Sequence, residues 1–132
     1  AGLAHADYTV SSSNEIQTVV ESMVGKVDVI YAPTDNTIAA GMATVASVAT
    51  DNKIPVICGE ENMVNDGGLA TYGIDYYQLG VTTGKMAAKI LTGEANISEM
   101  PIEYFPDPVK KYNPAICEAL RFSVPEDYVA IG

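Results

Sequence analysis

The sequence predicts a three-layer α/β/α fold, in which helices cover both faces of an open, mainly parallel five-stranded sheet. Short apolar segments rich in β-branched residues alternate with longer segments of helical periodicity, and turn-forming residues separate them. With 132 residues, of which 48% are hydrophobic, the chain is long enough for one core and too short for two ordinary domains. We therefore expect residues 1–132 to form a single α/β unit with right-handed crossovers.

The first half of the chain alternates between strand and helix patterns. A short strand is predicted over 8–10, and a capping box at 12–15 begins an amphipathic helix that ends at Gly25. A β-branched apolar strand follows over 27–31, and then an Ala- and Val-rich helix over 37–52. Parallel strands need such a crossover between them, so the alternation indicates parallel pairing.

The second half continues the alternation. Apolar strands are predicted over 54–58 and 69–74, and the most regular amphipathic helix of the chain over 76–92. A last strand over 102–105 and a terminal helix over 114–120 precede a loose tail. The prediction is thus five strands in total, joined by helices.

The charge of the chain excludes some classes of partner. Seven basic residues against 17 acidic ones give a net charge of −10, which leaves no surface able to neutralise nucleic-acid phosphates or anionic lipids. No apolar run approaches the roughly 20 residues that cross a bilayer. Cys58 and Cys117 lack metal-binding spacing, and His5 lies far from any candidate nucleophile. We expect no nucleic acid, no metal, no cofactor and no catalytic residue.

Polar side chains follow three of the predicted strands. The ligand crevice of an open parallel sheet lies beyond the carboxyl ends of its strands, so these side chains are the candidate binding residues. They are Thr34, Asp35, Asn36, Glu60, Asp75 and Tyr76.

The chemistry of this set suits a zwitterion. Backbone N–H groups at a helix start favour a carboxylate, and neighbouring acidic side chains favour an ammonium group, so one site with both features suits an amino acid. Asp35 and Asn36 are equally good helix N-caps, and capping alone accounts for such residues in many helices. Both interpretations remain open from the sequence.

Three segments carry a family resemblance: VDVIYAPTDN at 27–36, IPVICGEE at 54–61 and GGLATYGIDYYQLG at 67–80. They resemble the membrane-distal half of ABC-transporter substrate-binding proteins, in a subfamily that includes tryptophan- and tyrosine-binding members. The segments GKMAAKILTGEA at 84–95 and NPAICEAL at 113–120 continue the resemblance over nearly the whole chain.

The resemblance implies a type I periplasmic-binding fold with two flavodoxin-like lobes, of which this chain is the C-terminal one. It implies a non-catalytic, extracytoplasmic protein, periplasmic or a cell-surface lipoprotein, that captures a small molecule between its N-terminal lobe and this lobe. The ligand would be an amino acid, with aromatic ones among the candidates, and an ABC permease would receive it.

The resemblance also assigns the candidate residues to the ligand. Thr34, Asp35 and Asn36 would contact it from a helix start, and Glu60 and Asp75 from the next two strand ends. Arg121 departs from the family pattern, because it stands where relatives turn with glycine. Two alternatives stay open: a ligand-sensing lobe of a receptor, and a flavodoxin-like signalling or enzyme domain.

Overall fold

A computed structural model describes residues 2–104 and 107–132 of the chain. A 3-10 turn at Ser13–Glu15 precedes helices at Ile16–Met23 (α1), Asn36–Ala40 (α2), Met42–Asp51 (α3), Glu61–Asn65 (α4), Tyr76–Leu91 (α5) and Pro114–Leu120 (α6). The strands are Ile30–Ala32 (β1), Val56–Glu60 (β2), Ala70–Ile74 (β3), Val109–Tyr112 (β4) and Val129–Ala130 (β5).

The strands form one sheet in the order β1-β2-β3-β4-β5. The pairs β1–β2, β2–β3 and β4–β5 are parallel, whereas β4 runs antiparallel to β3, with Val109 opposite Gly73. The predicted α/β fold with an open, mainly parallel five-stranded sheet is confirmed.

The hydrophobic core lies between one face of the sheet and helices α1, α3 and α4. Helical spacing places Ile16, Val20 and Met23 on one buried stripe of α1, and this stripe packs against α3. In β2 every second side chain is buried, as expected for a strand with one face on the core. The core side chains are Ile16, Val20, Met23, Ile30, Ala32, Met42, Val45, Ala46, Ala49, Ile54, Val56, Cys58, Met63 and Val64.

Two predicted strands are wrong. Residues 8–10 join no strand pair, although Tyr8 and Val10 are partly buried against the core. The strand predicted over 102–105 is absent at 102–104, and its last position lies outside the described residues. The true fourth strand, β4, follows Pro108. It contains two lysines, so its sequence lacks the apolar pattern from which the other strands are predicted. The tail predicted to be loose contains β5.

The single helix predicted over 37–52 is broken at Gly41 into α2 and α3. A β-carbon at this position would collide with the side chain of Ile16 in α1. Glycine at the break thus allows the close approach of α1, a contact that local periodicity does not report.

Helix α5 is formed as predicted, but none of its residues is buried. Leu79, Met86 and Ile90 are half-buried, whereas Leu91 is 87% exposed. Among the described residues, no helix is long and apolar enough to cross a membrane.

Candidate functional site

The predicted binding residues lie along one edge of the sheet. The parallel strands β1, β2 and β3 end at Ala32, Glu60 and Ile74, and we name this side of the sheet the carboxyl edge. The register pairs Ala32 with Cys58, and Glu60 with Ile74, so the three strand ends are neighbours. The six candidates therefore stand at or just beyond the carboxyl edge, as the sequence predicts: Thr34, Asp35, Asn36, Glu60, Asp75 and Tyr76.

Glycines bring the chain segments of this edge into close contact. A β-carbon at Gly59 would lie 2.7 Å from the backbone nitrogen of Thr34 and would collide with its hydroxyl group. A β-carbon at Gly73 would collide with the carbonyl oxygen of Gly59. The loop after β1 thus rests directly on β2, and β2 on β3, which fixes the spacing of the candidate side chains.

Asp35 is the N-cap of α2. Its Oδ1 accepts hydrogen bonds from the backbone N–H groups of Thr37 at 2.8 Å and Ile38 at 3.0 Å. The residue is exposed, and among the described residues its Oδ2 accepts no hydrogen bond. The capping interpretation is confirmed for Asp35, and one carboxylate oxygen still faces solvent.

Glu60 caps α4 with both oxygens and is nearly enclosed. Oε2 accepts from the N–H of Asn62 and Oε1 from the N–H of Met63, each at 2.9 Å. The side chain is only 6% exposed. Its first role is therefore to hold the start of α4 against β2.

Asp75 caps α5, since its Oδ1 accepts a hydrogen bond from the N–H of Gln78 at 3.0 Å. The two residues that follow, Tyr76 and Tyr77, are exposed at the start of the helix. Aromatic surface and a carboxylate therefore stand side by side at the end of β3. Tyr77 belongs to this edge as much as Tyr76 does, although only Tyr76 was among the predicted site residues.

Chemically, the carboxyl edge offers three negative charges held in place by hydrogen bonds from their own helices. Such caps place the side chains firmly, because each is bound at a backbone position fixed by the sheet. The described residues contain no group of three His, Cys, Asp or Glu side chains able to hold a metal ion. The arrangement suits recognition of a cationic group with an aromatic neighbour.

Cys58 lies in β2 just before this edge, and its thiol is unreactive at neutral pH. Burial, and to a smaller extent the charge of Glu60, raises the pKa of Cys58 to about 12. Only the thiolate is an effective nucleophile. The interpretation of Cys58 as a small buried hydrophobic residue agrees with this environment.

A cavity lies at the other end of the sheet. It has a volume of about 410 Å³, and Val29, Pro55 and Leu69 line it at the amino ends of the parallel strands. Phe122 and Tyr128 from the C-terminal tail close one side. Sequence reasoning missed this cavity, because its lining comes from segments far apart in the chain.

A family model for ABC transporter substrate binding proteins matches residues 1–130. The chain belongs to the ABC transporter substrate-binding protein family. This substrate-binding protein is 44% identical over 93 residues to a tyrosine-binding protein of Clostridioides difficile, an alignment that covers 70% of this chain and 27% of the relative.

Solved structures of other substrate-binding proteins share the fold. An ABC domain from Streptococcus pneumonia in complex with L-Trp is 40% identical with a TM-score of 0.84, over 95% of this chain and 42% of that one. A ligand-free, open substrate-binding protein with adhesive properties from Clostridium difficile is 43% identical with a TM-score of 0.74, over 92% and 42%. The chain thus spans less than half the length of the relatives it matches.

Proposed function

We propose that the full protein is the solute-binding component of an ABC importer and captures an aromatic amino acid, tyrosine or tryptophan, between two lobes. The observation that carries the proposal is the carboxyl edge: in a member of this family, three strand ends hold acidic side chains and exposed tyrosines together. The tyrosine-binding relative and the neighbour in complex with L-Trp support the choice of ligand.

In this proposal five of the six candidate residues contact the ligand from one side. The Oδ2 atoms of Asp35 and Asp75 accept no hydrogen bond from the part of the chain that the structure describes. In the complex they accept hydrogen bonds from the ligand ammonium group, and Tyr76 stacks on the aromatic ring. Thr34 and Asn36 add polar contacts at the start of α2. Glu60 acts mainly by placing α4, since both of its oxygens already accept hydrogen bonds from backbone N–H groups.

The proposal includes a second lobe, and the position and exposure of helix α5 support this part of the proposal. The chain leaves the sheet at the carboxyl edge after Ile74 and returns to the same edge at Val109, because β4 is antiparallel to β3. Between these points no residue of α5 is fully buried, and Tyr76, Tyr77 and Leu91 are exposed. An amphipathic helix that leaves a sheet at its binding edge is well placed to pack against an N-terminal lobe.

The remaining features follow from the family. The protein works outside the cytoplasm, in the periplasm or as a cell-surface lipoprotein, and presents its ligand to an ABC permease. It performs no catalysis, and the unreactive environment of the Cys58 thiol supports this part.

Isothermal titration calorimetry of the full-length protein tests the proposal. We expect tyrosine or tryptophan to bind with micromolar affinity or tighter, whereas leucine and adenosine bind at least about tenfold more weakly. Absence of binding to both aromatic amino acids would refute the ligand assignment.

Asp35→Asn is the matched variant for the site. Asparagine is as good an N-cap as aspartate, so the helix stays capped while the charge is lost. Loss of a buried charge pair costs about 2–5 kcal/mol, so binding should weaken roughly 30-fold or more with little change in melting temperature. An affinity within twofold of the original would leave Asp35 a helix cap only.

A further inference from the structure

Strand β2 lies at the centre of the carboxyl edge, between β1 and β3. Asp35 follows the end of β1 and Asp75 follows the end of β3, and neighbouring strands stand about 4.8 Å apart. A ligand ammonium group that contacts both aspartates therefore lies beyond the end of β2. Helix α4 begins at this position, directly after Glu60. The first turn of α4 is thus close to the ligand head group.

The ligand carboxylate needs hydrogen-bond donors at the same place, because the carboxylate and the ammonium group of an amino acid share one carbon atom. A helix start can bind an anion through its backbone N–H groups. At α4, however, Glu60 accepts hydrogen bonds from the N–H groups of Asn62 and Met63, each at 2.9 Å. The start of α4 already holds a carboxylate of its own, so a ligand carboxylate there requires a side-chain donor.

The side chain of Asn62 provides such a donor. Asn62 is the second residue of α4 and is exposed, and its side-chain amide forms no hydrogen bond with the part of the chain that the structure describes. Side chains of a helix tilt toward its N-terminus, which for α4 is the carboxyl edge. The amide is neutral and carries two N–H donors, so it can bind an anion in a surrounding of carboxylates without adding to their repulsion.

The charge of Glu61, the first residue of α4, is neutralised by Lys111 of β4. The ammonium group of Lys111 donates a hydrogen bond to Oε1 of Glu61 at 2.7 Å, and the two side chains are 30% and 33% exposed. A partly buried pair is screened by salt much less than an exposed one. The pair therefore holds the first turn of α4 against β4, and it removes a negative charge beside Asn62 that would repel a ligand carboxylate.

We propose that Asn62 is a further binding residue, whose Nδ2 donates a hydrogen bond to the carboxylate of the ligand. Lys111 is a positioning residue, which neutralises Glu61 and fixes the first turn of α4. The inference rests on the proposed function, because it takes an amino acid as the ligand, with Asp35 and Asp75 as the partners of its ammonium group. The two ends of the zwitterion are then recognised by different groups of the same edge, carboxylates for the cation and an amide for the anion.

Calorimetry of the full-length protein with tyrosine and with tyramine, which lacks the carboxylate, tests the role of Asn62. Asn62→Ala should weaken tyrosine binding at least about tenfold, because a hydrogen bond to a charged group is lost, and should change tyramine binding less than about twofold. Asn65→Ala is the matched control, since Asn65 is an exposed amide of α4 one turn further from the edge, and it should leave both affinities unchanged. A smaller loss in Asn62→Ala, or an equal loss for tyramine, would overturn the proposal.

Lys111→Met tests the positioning role. The unpaired charge of Glu61 should weaken tyrosine binding at least about fivefold and should leave tyramine binding as tight or tighter. Adding Glu61→Gln should restore most of the tyrosine affinity, and Lys111→Arg should keep it. Lys110→Met is the control, because Lys110 pairs with Asp127 on the other face of β4. A double variant as weak as Lys111→Met, or an equal loss in Lys110→Met, would refute the role of Lys111.

The same titrations separate this inference from the proposed function. Tryptophan and tryptamine serve as a second pair of ligands that differ only in the carboxylate. An amino acid that binds the original protein and Asn62→Ala equally well refutes this inference and leaves the proposed function standing. Absence of binding of both tyrosine and tryptophan to the original protein refutes the proposed function and this inference together.

Discussion

Glu60→Ala is predicted to loosen helix α4 far more than the equivalent change at an exposed cap. The two N–H groups that Glu60 accepts belong to Asn62, which is exposed, and Met63, which is only 1% exposed. Water can replace the first bond at a cost of about 1 kcal/mol, whereas the second leaves a buried donor unsatisfied at about 2 kcal/mol. The local free energy of opening should therefore fall by about 3 kcal/mol.

Native-state hydrogen exchange in the full-length protein measures this change without assuming that the whole protein unfolds in one step. A loss of about 3 kcal/mol makes the amides of Glu61–Asn65 exchange roughly 100-fold faster. Glu60→Gln keeps one accepting oxygen and should give about half of the loss in free energy. Asp35→Ala at the exposed start of α2 should cost only about 1 kcal/mol. If Glu60→Ala accelerated exchange less than threefold, or no more than Asp35→Ala does at α2, the assigned role of Glu60 would be wrong.

Four further predictions concern stability and affinity. Thr71→Val should raise the free energy of unfolding by about 1 kcal/mol, because the buried hydroxyl of Thr71 has no partner among the described residues; a lower urea midpoint would contradict this. Arg121→Gly should stabilise the protein by about 0.5–1 kcal/mol, since Arg121 holds the left-handed conformation (φ 59°, ψ 41°) that favours glycine; a drop in melting temperature would oppose it. Because the pKa of Cys58 is raised from 9.0 to about 12, the folded thiol keeps its proton where the unfolded one loses it. Stability should thus fall as pH rises from about 9 to about 12, by up to about 1.4 kcal/mol per pH unit, and Cys58→Ala should show a shallower decline. Residues 1–132 produced alone should bind tyrosine or tryptophan only at about millimolar concentration or more weakly, since the proposed two-lobe site places half of the enclosing surface on the other lobe; micromolar binding in calorimetry would contradict this.

Much of the fold follows from local patterns in the sequence. The alternating burial of β2 and the single buried stripe of α1 are direct expressions of strand and helix periodicity. The left-handed turn at Arg121 lies where the family resemblance implies a turn with glycine. These features depend only on residues close together in the chain.

The elements that sequence analysis missed depend on distant partners. Strand β4 forms by pairing with β3 and β5, and each of its lysines meets a carboxylate from elsewhere in the chain: Lys110 pairs with Asp127, and Lys111 with Glu61 at 2.7 Å. At the break, Gly41 is in close contact with the side chain of Ile16 in another helix. These partners lie far away in the sequence, so patterns among neighbouring residues do not reveal them.

The candidate site also has one feature that the sequence predicts and one that it does not. Its positions follow from the rule that parallel strands end at one edge, and Asp35, Glu60 and Asp75 lie there as expected. Which oxygens remain for a ligand depends on the capping geometry, because Glu60 uses both and Asp35 only one. The sequence does not show which oxygens accept hydrogen bonds from the helix, so only the structure distinguishes Glu60 from Asp35.

The antiparallel pairing of β3 with β4 makes these two strands a β-hairpin into which residues 75–108 are inserted. Gly73 and Val109 already face each other, so a tight turn such as Asn-Gly has the right span to join the two strands directly. Since no residue of α5 is fully buried, the shortened protein should keep its sheet order. The insertion is then a removable module, and a chain without it offers a minimal scaffold that retains the strand ends.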